Sequence, residues 1–351
     1  MSTGNSQGSK AQRSRRPTIA DVARLANVSQ MTVSNVVNRR FGSMGQQTRE
    51  TVEKAIAELG YRPHASGRSL KLSKRFSIGM VVVDESPTFL ADPFITNLVA
   101  GLSNHLNQRD YGLVVQGMRA DHLPEAALIR RHETDALCVF LSGERAKRAQ
   151  MISDFAGLGQ PVVVMQEAVP KGSGLYSVRQ DDRAGSAELA LHLHARGARH
   201  VLFLAPDVAW PAIEERIEGA RTVLLARECR FSVVQCGDGG FDATRTALAA
   251  AVAAGGWPPA IMGGNDQMGI AALKWCADQG RTAPSDILVS GFNAFETWRY
   301  STPSLTTVVS PAYELGETAG GILLSVLQGE PVRRREHVLP VRLKIGGSTD
   351  V

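Results

Sequence analysis

The apolar positions follow two rhythms, and the change falls near residue 76. Upstream the spacing is helical. Ile19, Val22, Ala23 and Leu25-Ala26 form one stripe, Val33, Val36 and Val37 a second, and Val52, Ala55, Ile56 and Leu59 a third. The pattern predicts three helices. Thr18 is placed to cap the first, with Asp21 three residues on in a capping-box arrangement. Asn27-Val28-Ser29 breaks the stripe, and Ser29 is placed to cap a second helix running to about Asn38. The third spans roughly Gln46–Leu59, with Gly60 at its C-terminal end. Tyr61-Arg62-Pro63 then opens a short basic connector, His64–Arg75.

Downstream, runs suited to buried strands occur at Ser77–Val83, Gly112–Gln116, Ala136–Leu141, Pro161–Met165, His200–Ala205, Phe231–Gln235, Ala260–Met262 and Ile287–Gly291. Helix-like stretches such as Thr96–Gln108, Arg183–Arg196 and Gln267–Gln279 lie between most of them. Strand alternating with helix predicts parallel sheets covered on both faces. Eight strands would fit one large sheet, but the irregular piece around Lys171–Asp182 favours two βα lobes. No short-period repeat is present.

Composition narrows the class. A chain of 351 residues with 43% hydrophobic residues has material for two or three domains and is not wholly disordered. The longest Ala-rich run, Ala247–Ala254, is far short of the roughly 18 apolar residues of a membrane span. The first 17 residues are polar and basic without an apolar segment, so no secretory signal is expected. Cys138, Cys229, Cys236 and Cys276 form no CxxC pair and read as buried thiols of a cytoplasmic protein. The net charge of +5 is divided unevenly. Residues 1–76 hold 14 Lys+Arg against 4 Asp+Glu, a net +10, and the remainder is −5. A basic end on a mildly acidic body is the footprint of a module that meets polyanions, with a solvated basic tail as the alternative.

Two short helices around a tight turn, followed by a packing helix, read as a helix-turn-helix. Such a second helix fits the major groove of B-DNA, where polar side chains on its exposed turns reach base edges. Gln30, Met31, Ser34 and Asn35 are the exposed-face candidates; Gln and Asn can pair bidentately with adenine, and Met31 can touch a thymine methyl. Thr18, Ser29, Thr32 and Asn38, with the backbone at the helix starts, would hold phosphates and set register. A generic three-helix domain for protein contacts is the other reading of this periodicity.

The stretch Thr18–Asn38 (TIADVARLANVSQMTVSNVVN) and the segment Thr48–Pro63 (TRETVEKAIAELGYRP) resemble the DNA-binding headpiece of the LacI/GalR family of bacterial transcription regulators. The match is nearly gapless over about 55 residues and extends more loosely along the chain. The resemblance implies a homodimer, with a tetramer as the alternative, on a pseudo-palindromic double-stranded operator. The lack of an apolar heptad tail after Val351 favours the dimer. It implies a hinge helix in the connector, with His64 and Arg68 at the DNA and Leu70 inserted in the minor groove as an apolar wedge. It also implies a periplasmic-binding-protein-like core of two doubly wound parallel-sheet lobes behind the all-α headpiece. The expected organisation is a disordered basic arm (1–16), the headpiece (17–62), the hinge (63–75) and the core (76–351). The first lobe is expected at about 76–179 and 308–340, the second at about 180–307 and 341–351. Asn35 replaces an Arg common at that position of the recognition helix, which implies a different operator half-site.

Catalytic signatures are missing from the body: there is no GxSxG elbow, GxxxxGK[ST] loop, HExxH or GxGxxG. His192 and His194 stand two residues apart, on different helix faces, so they do not read as metal ligands. Asp181-Asp182 and Glu214-Glu215 read as solvated faces or helix caps, and Arg333–Arg335 as a solvated loop. No metal or redox cofactor is implied. The resemblance places a small effector between the lobes, with landmarks at Asp92-Pro93-Phe94, Arg216, 264–269, 291–293, 303–309 and 346–349. Carried over by position, the pocket is Asp92, Phe94, Gln166, Arg216, Asn265, Asn293 and Ser310. Such a set suits a sugar, since amides, carboxylates and guanidinium pair with adjacent hydroxyls and an aromatic covers the ring face.

Family members that bind neutral sugars usually carry Asp where this chain has Asn293, and often at Gln166. Losing two carboxylates while keeping Arg216 points to an anion, a sugar acid or sugar phosphate, with Asp92 arguing the other way. A soluble solute-binding protein would lack the headpiece, and a sugar-modifying enzyme would need a catalytic constellation not found here.

In the hinge, His64 and Gly67 replace the usual Asn and Ala, and Gly in a helix costs about 0.8–1 kcal/mol relative to Ala. Gly67→Ala is therefore expected to tighten operator binding in an equilibrium titration at fixed salt. Unchanged or weaker affinity would overturn the reading of a DNA-dependent hinge.

Overall fold

The computed structural model describes residues 17–38, 40–42, 44–62, 74–131, 133–208 and 210–350. The connector with His64, Gly67, Arg68 and Leu70, and the N-terminal arm, lie outside them. The chain divides into two compact units, Met1–Arg75 and Phe76–Val351.

The first unit is a three-helix module: α1 (Ile19–Leu25), α2 (Gln30–Val37) and α3 (Gln46–Leu59). The capping box forms as its residues predict. The Thr18 N–H donates to Asp21 Oδ2 at 2.9 Å, and Thr18 Oγ1 accepts from the Asp21 N–H at 3.4 Å. Asn27 takes φ 51°, a left-handed conformation that Asn tolerates better than most side chains, and turns the chain into Ser29. Ser29 Oγ accepts from the Thr32 N–H at 3.1 Å and starts α2. Gly60 closes α3 at φ 60°. Val22, Ala23, Ala26, Val33, Val36, Val52, Ala55 and Tyr61 make one small core. Leu25 departs from the expected stripe. It is 46% exposed, because Ile19, Val22, Ala23 and Ala26 already fill the inward arc of α1 and position 25 falls off it.

The second unit holds two parallel sheets. The first is ordered β11-β5-β4-β3-β1-β2. Its strands are β1 (Ser77–Val83), β2 (Gly112–Met118), β3 (Ala136–Leu141), β4 (Val162–Met165), β5 (Tyr176–Gln180) and β11 (Glu336–Leu339). The second is ordered β7-β6-β8-β9, with β6 (His200–Ala205), β7 (Arg230–Gln235), β8 (Ala260–Gly263) and β9 (Leu288–Ser290). Strands β10 (Thr307–Val309) and β12 (Arg342–Lys344) form a separate antiparallel pair. The central strands are buried from end to end, as parallel strands covered on both faces must be. The stretch around Lys171–Asp182, expected to be irregular, contains β5. Its polar residues hid it: Ser177 is fully buried, and its Oγ donates to the Glu167 carbonyl at 2.6 Å.

The helices α4 (Pro93–Asn107), α5 (Ala127–Arg130), α6 (Arg145–Ala156), α7 (Asp182–Ala195), α8 (Pro211–Leu225), α9 (Phe241–Gly255), α10 (Asp266–Asp278) and α11 (Ala312–Gln328) complete the unit. After β5 the chain builds the second lobe through β9, then returns through β10 into α11, which packs on α4 beside the first sheet. In both sheets the strand order reverses, between β1 and β3 and between β6 and β8. Loops leaving the carboxyl ends of strands diverge there, which opens a crevice. All four cysteines are free and buried, and no described helix is long and apolar enough to cross a membrane.

Backbone contact sets the α4–α11 crossing. A Cβ on Gly101 would lie 1.9 Å from the Tyr313 carbonyl oxygen, and one on Gly316 2.1 Å from that of Leu98. Ala at Gly101 gains up to about 1 kcal/mol of helix propensity but meets backbone, which no rotamer change relieves. Gly101→Ala is expected to lower stability in urea unfolding by a net ~1–3 kcal/mol. A variant as stable as the parent would show that the two helices separate freely.

Candidate functional site

The candidate pocket residues sit where strands of both sheets end. Asp92 lies in the segment after β1, Gln166 directly after β4, Arg216 on the helix after β6, Asn265 directly after β8, and Asn293 just past β9. Ser310 follows β10. Each strand fixes where its C-terminal residue emerges, so side chains far apart in sequence converge.

Arg216 is the hub. It is 3% exposed, and its guanidinium lies 3.8 Å from the centre of the Phe292 ring. Nε donates to Asp182 Oδ1 at 2.7 Å, Nη1 to the Gly264 carbonyl at 2.6 Å, and Nη2 to Asn293 Oδ1 at 3.1 Å. The Gln180 amide donates to Asp182 Oδ1 at 2.8 Å, and that of Gln166 to Asp182 Oδ2 at 3.3 Å. Gln166 Oε1 accepts from the Gln180 N–H, and Ser310 Oγ donates to Gln180 Oε1 at 2.6 Å. Burial pushes the Asp182 carboxyl up from its ordinary range, while Arg216 and then Gln180 pull it down. Two members hold unusual backbone: Gln166 at φ 61° and Asn293 at φ 112°.

The structure therefore joins Arg216 and Asn293 directly, and brings in Gln166 and Ser310 through Asp182 and Gln180. Asp92 is half-buried. Its carboxyl caps α4 by accepting from the Phe94 N–H at 2.8 Å, and desolvation raises its pKa although Arg216 draws it down. Phe94 packs into the first lobe's core and meets Phe140, with Phe295 of the second lobe 6.4 Å away. Asn265 is the N-cap of α10, its Oδ1 accepting from the Met268 N–H at 2.9 Å.

Sequence reasoning missed Gln180, misread Asp182 and gave no partner for Glu214. Asp182 is 4% exposed and paired with Arg216, not solvated, and Glu214 joins a buried Arg148. Neighbouring acidic residues in a helix point different ways. Asp181 caps α7 and Asp182 turns inward onto Arg216, while Glu215 pairs with exposed Arg183 and the half-exposed Glu214 with Arg148. Only the fold distinguishes them.

In the first unit, α2 presents Gln30 and Met31 to solvent, Met31 at 60% exposure, with Ser34 and Asn35 half-buried. Thr18 and Ser29 are engaged as caps, Thr32 Oγ1 lies 2.9 Å from Ser29 Oγ, and the Asn38 amide donates to the Ser34 carbonyl at 2.7 Å.

A helix-turn-helix module and a two-lobed α/β core with a polar network at its strand ends define a DNA-binding transcription regulator. Comparison makes this specific. Residues 18–64 match the family described as bacterial regulatory proteins, lacI family, and residues 190–349 a periplasmic binding protein-like domain. The ribose operon repressor of Escherichia coli (strain K12) is 30% identical over 346 residues, covering 94% of this chain and 99% of that protein. The lac repressor dimer bound to operator and the anti-inducer ONPF superposes with a TM-score of 0.84 at 24% identity, covering 95% of this chain and 99% of that one. A CelR–cellobiose complex gives 0.68 at 27% identity, with 95% and 100% covered. The chain belongs to the lacI family.

Asp266 lies under this site. It is 4% exposed, accepts from Thr307 Oγ1 on β10 and is approached by the Ala294 and Phe295 N–H groups, yet burial raises its pKa to about 6. An ordinary Asp titrates near 3.9, so between about pH 4 and 6 the native state binds a proton that the unfolded chain does not. This contribution favours the fold at low pH and is lost as pH rises through 6. The stability of the parent relative to Asp266→Asn should fall between pH 4.5 and 7 with a slope of up to ~1.4 kcal/mol per pH unit, read from urea unfolding. A flat difference would contradict the raised pKa.

Proposed function

We propose that the protein is an effector-controlled repressor. Two copies would read a pseudo-palindromic operator through α2, with Gln30, Met31, Ser34 and Asn35 at base edges. Thr18, Ser29, Thr32 and Asn38 would contribute phosphate contacts from the helix starts, and His64, Arg68 and Leu70 would act from the connector. The lac repressor dimer–operator complex supports the paired arrangement by analogy of fold. A small effector would bind between the lobes at Asp92, Phe94, Gln166, Arg216, Asn265, Asn293 and Ser310, and would shift the DNA-competent state by its unequal affinity for the two lobe arrangements.

For the effector itself, the pairing of Arg216 with Asp182 carries the argument. The expectation of a sugar acid or sugar phosphate rested on the loss of two carboxylates, at Asn293 and Gln166, with Arg216 kept and Asp92 arguing the other way. With Asp182 at 2.7 Å the pair is neutral as a unit, and Asp92 adds further acidity nearby. An incoming carboxylate or phosphate would meet that acidity in a poorly solvated place. The remaining two of the five guanidinium N–H groups, with the amides of Gln166 and Asn293, suit hydroxyl oxygens. The reading is a neutral polyhydroxylated effector, in keeping with cellobiose in the CelR complex.

Calorimetric titration with neutral sugars and their matching aldonates or phosphates tests this. Neutral sugars should bind and their anions should not, whereas Asp182→Asn should move the preference toward the anion. Tighter binding of the anion by the parent protein would overturn the neutral reading. On the DNA side, log affinity for duplex should fall steeply and linearly with log salt, and deleting residues 1–76 should abolish binding. A flat salt dependence would refute operator recognition.

A further inference from the structure

A second set of contacts joins the lobes apart from the Arg216 network. Arg148 stands on α6, between β3 and β4 of the first lobe, and its side chain is 1% exposed. Its Nε donates to Glu167 Oε2 at 2.8 Å, and Glu167 follows β4 in the same lobe. Its Nη1 donates to the Gly143 carbonyl, just past β3. The far edge of the same guanidinium forks onto Glu214, Nη1 to Oε1 at 3.1 Å and Nη2 to Oε2 at 2.9 Å. Glu214 lies in the first turn of α8, in the second lobe. One buried guanidinium is thus held by a carboxylate from each lobe. Beside it, the indole N–H of Trp210, at the N-cap of α8, donates to Asp84 Oδ2 at 3.3 Å, just past β1.

We propose that the Arg148–Glu214 fork is a latch between the lobes, which holds them together independently of any effector. The asymmetry of the contacts carries this. Separating the lobes leaves Arg148 paired with Glu167 and Gly143 within the first lobe, so no charge is stranded in a dry interior. The fork to Glu214 is what must break. Glu214 is 39% exposed, so water and salt reach the pair, and the closure is reversible. A bidentate Arg–carboxylate pair also fixes direction, since both N–H···O bonds are satisfied together only when the lobes meet at one angle. The latch thereby sets the fraction of closed molecules on which effector and operator act. Its relevance to regulation rests on the cleft being the effector site, but its test needs neither ligand nor DNA.

The test is hydrogen exchange on the full chain, read in second-lobe peptides covering 205–216. Glu214→Gln should speed exchange there about five- to tenfold, the size expected for losing a half-exposed charge-assisted fork. Glu167→Gln removes a carboxylate from the same guanidinium without crossing the cleft, and should leave these peptides within about twofold of the parent. Raising NaCl from about 0.05 to 1 M should reproduce the Glu214→Gln result in the parent and add nothing in that variant. Equal exchange in parent and Glu214→Gln, or equal acceleration by both variants, would overturn the latch. If no sugar binds while Glu214→Gln still opens the cleft, the effector reading fails and the latch stands.

Discussion

A guanidinium in a nearly dry place constrains the residues around it. Arg216 is 3% exposed, and an unpaired charge there would cost several kcal/mol. Asp182 answers the charge, Gly264 and Asn293 take further donors, and Phe292 covers the face. Asp182 in turn needs donors of its own, from Gln180 and Gln166, and Gln180 needs Ser310. The chain of obligations runs through both lobes and through the segments that connect them. A change in lobe angle must therefore be felt at Arg216.

The sheets make the network reachable. Two doubly wound sheets each reverse strand order at their centres, so the loops after β1 and β3, and those after β6 and β8, diverge. Close helix contacts keep the strand ends where they are. Gly101 and Gly316 bring α4 and α11 to backbone contact, and Gly219 does the same for α8 against the Arg183 carbonyl on α7. Two kinds of inter-lobe contact result. One is a buried network centred on Arg216, the other a more accessible ion pair, Arg148 with Glu214. The buried one confers geometry, and the accessible one is open to solvent screening.

Much of this was legible in the chain. The three-helix module could be read nearly to the residue, because Thr18, Asp21, Ser29 and Gly60 are local signals acting over a few residues, and the structure uses each as a cap or turn. The strands β1, β3 and β6 were equally plain, since continuous apolar runs have few other uses. β5 was hidden because its buried Ser177 and Gln180 look polar until their distant partners are known. Leu25 shows the converse, an apolar residue assigned inward that a helical turn leaves outside.

The three headpiece helices, the plainest apolar strands, the capping chemistry and the family were readable from the chain alone. Those depend on short-range periodicity and on motifs a few residues long. Which groups answer Arg216 depends on long-range contacts instead. Arg216, Asp182 and Asn293 are separated by 34 and 77 residues, and nothing local marks which of two adjacent aspartates turns inward. Folding placed the Asp182 carboxylate on the Arg216 guanidinium. The outcome depended on the through-space partner rather than on the residue types alone.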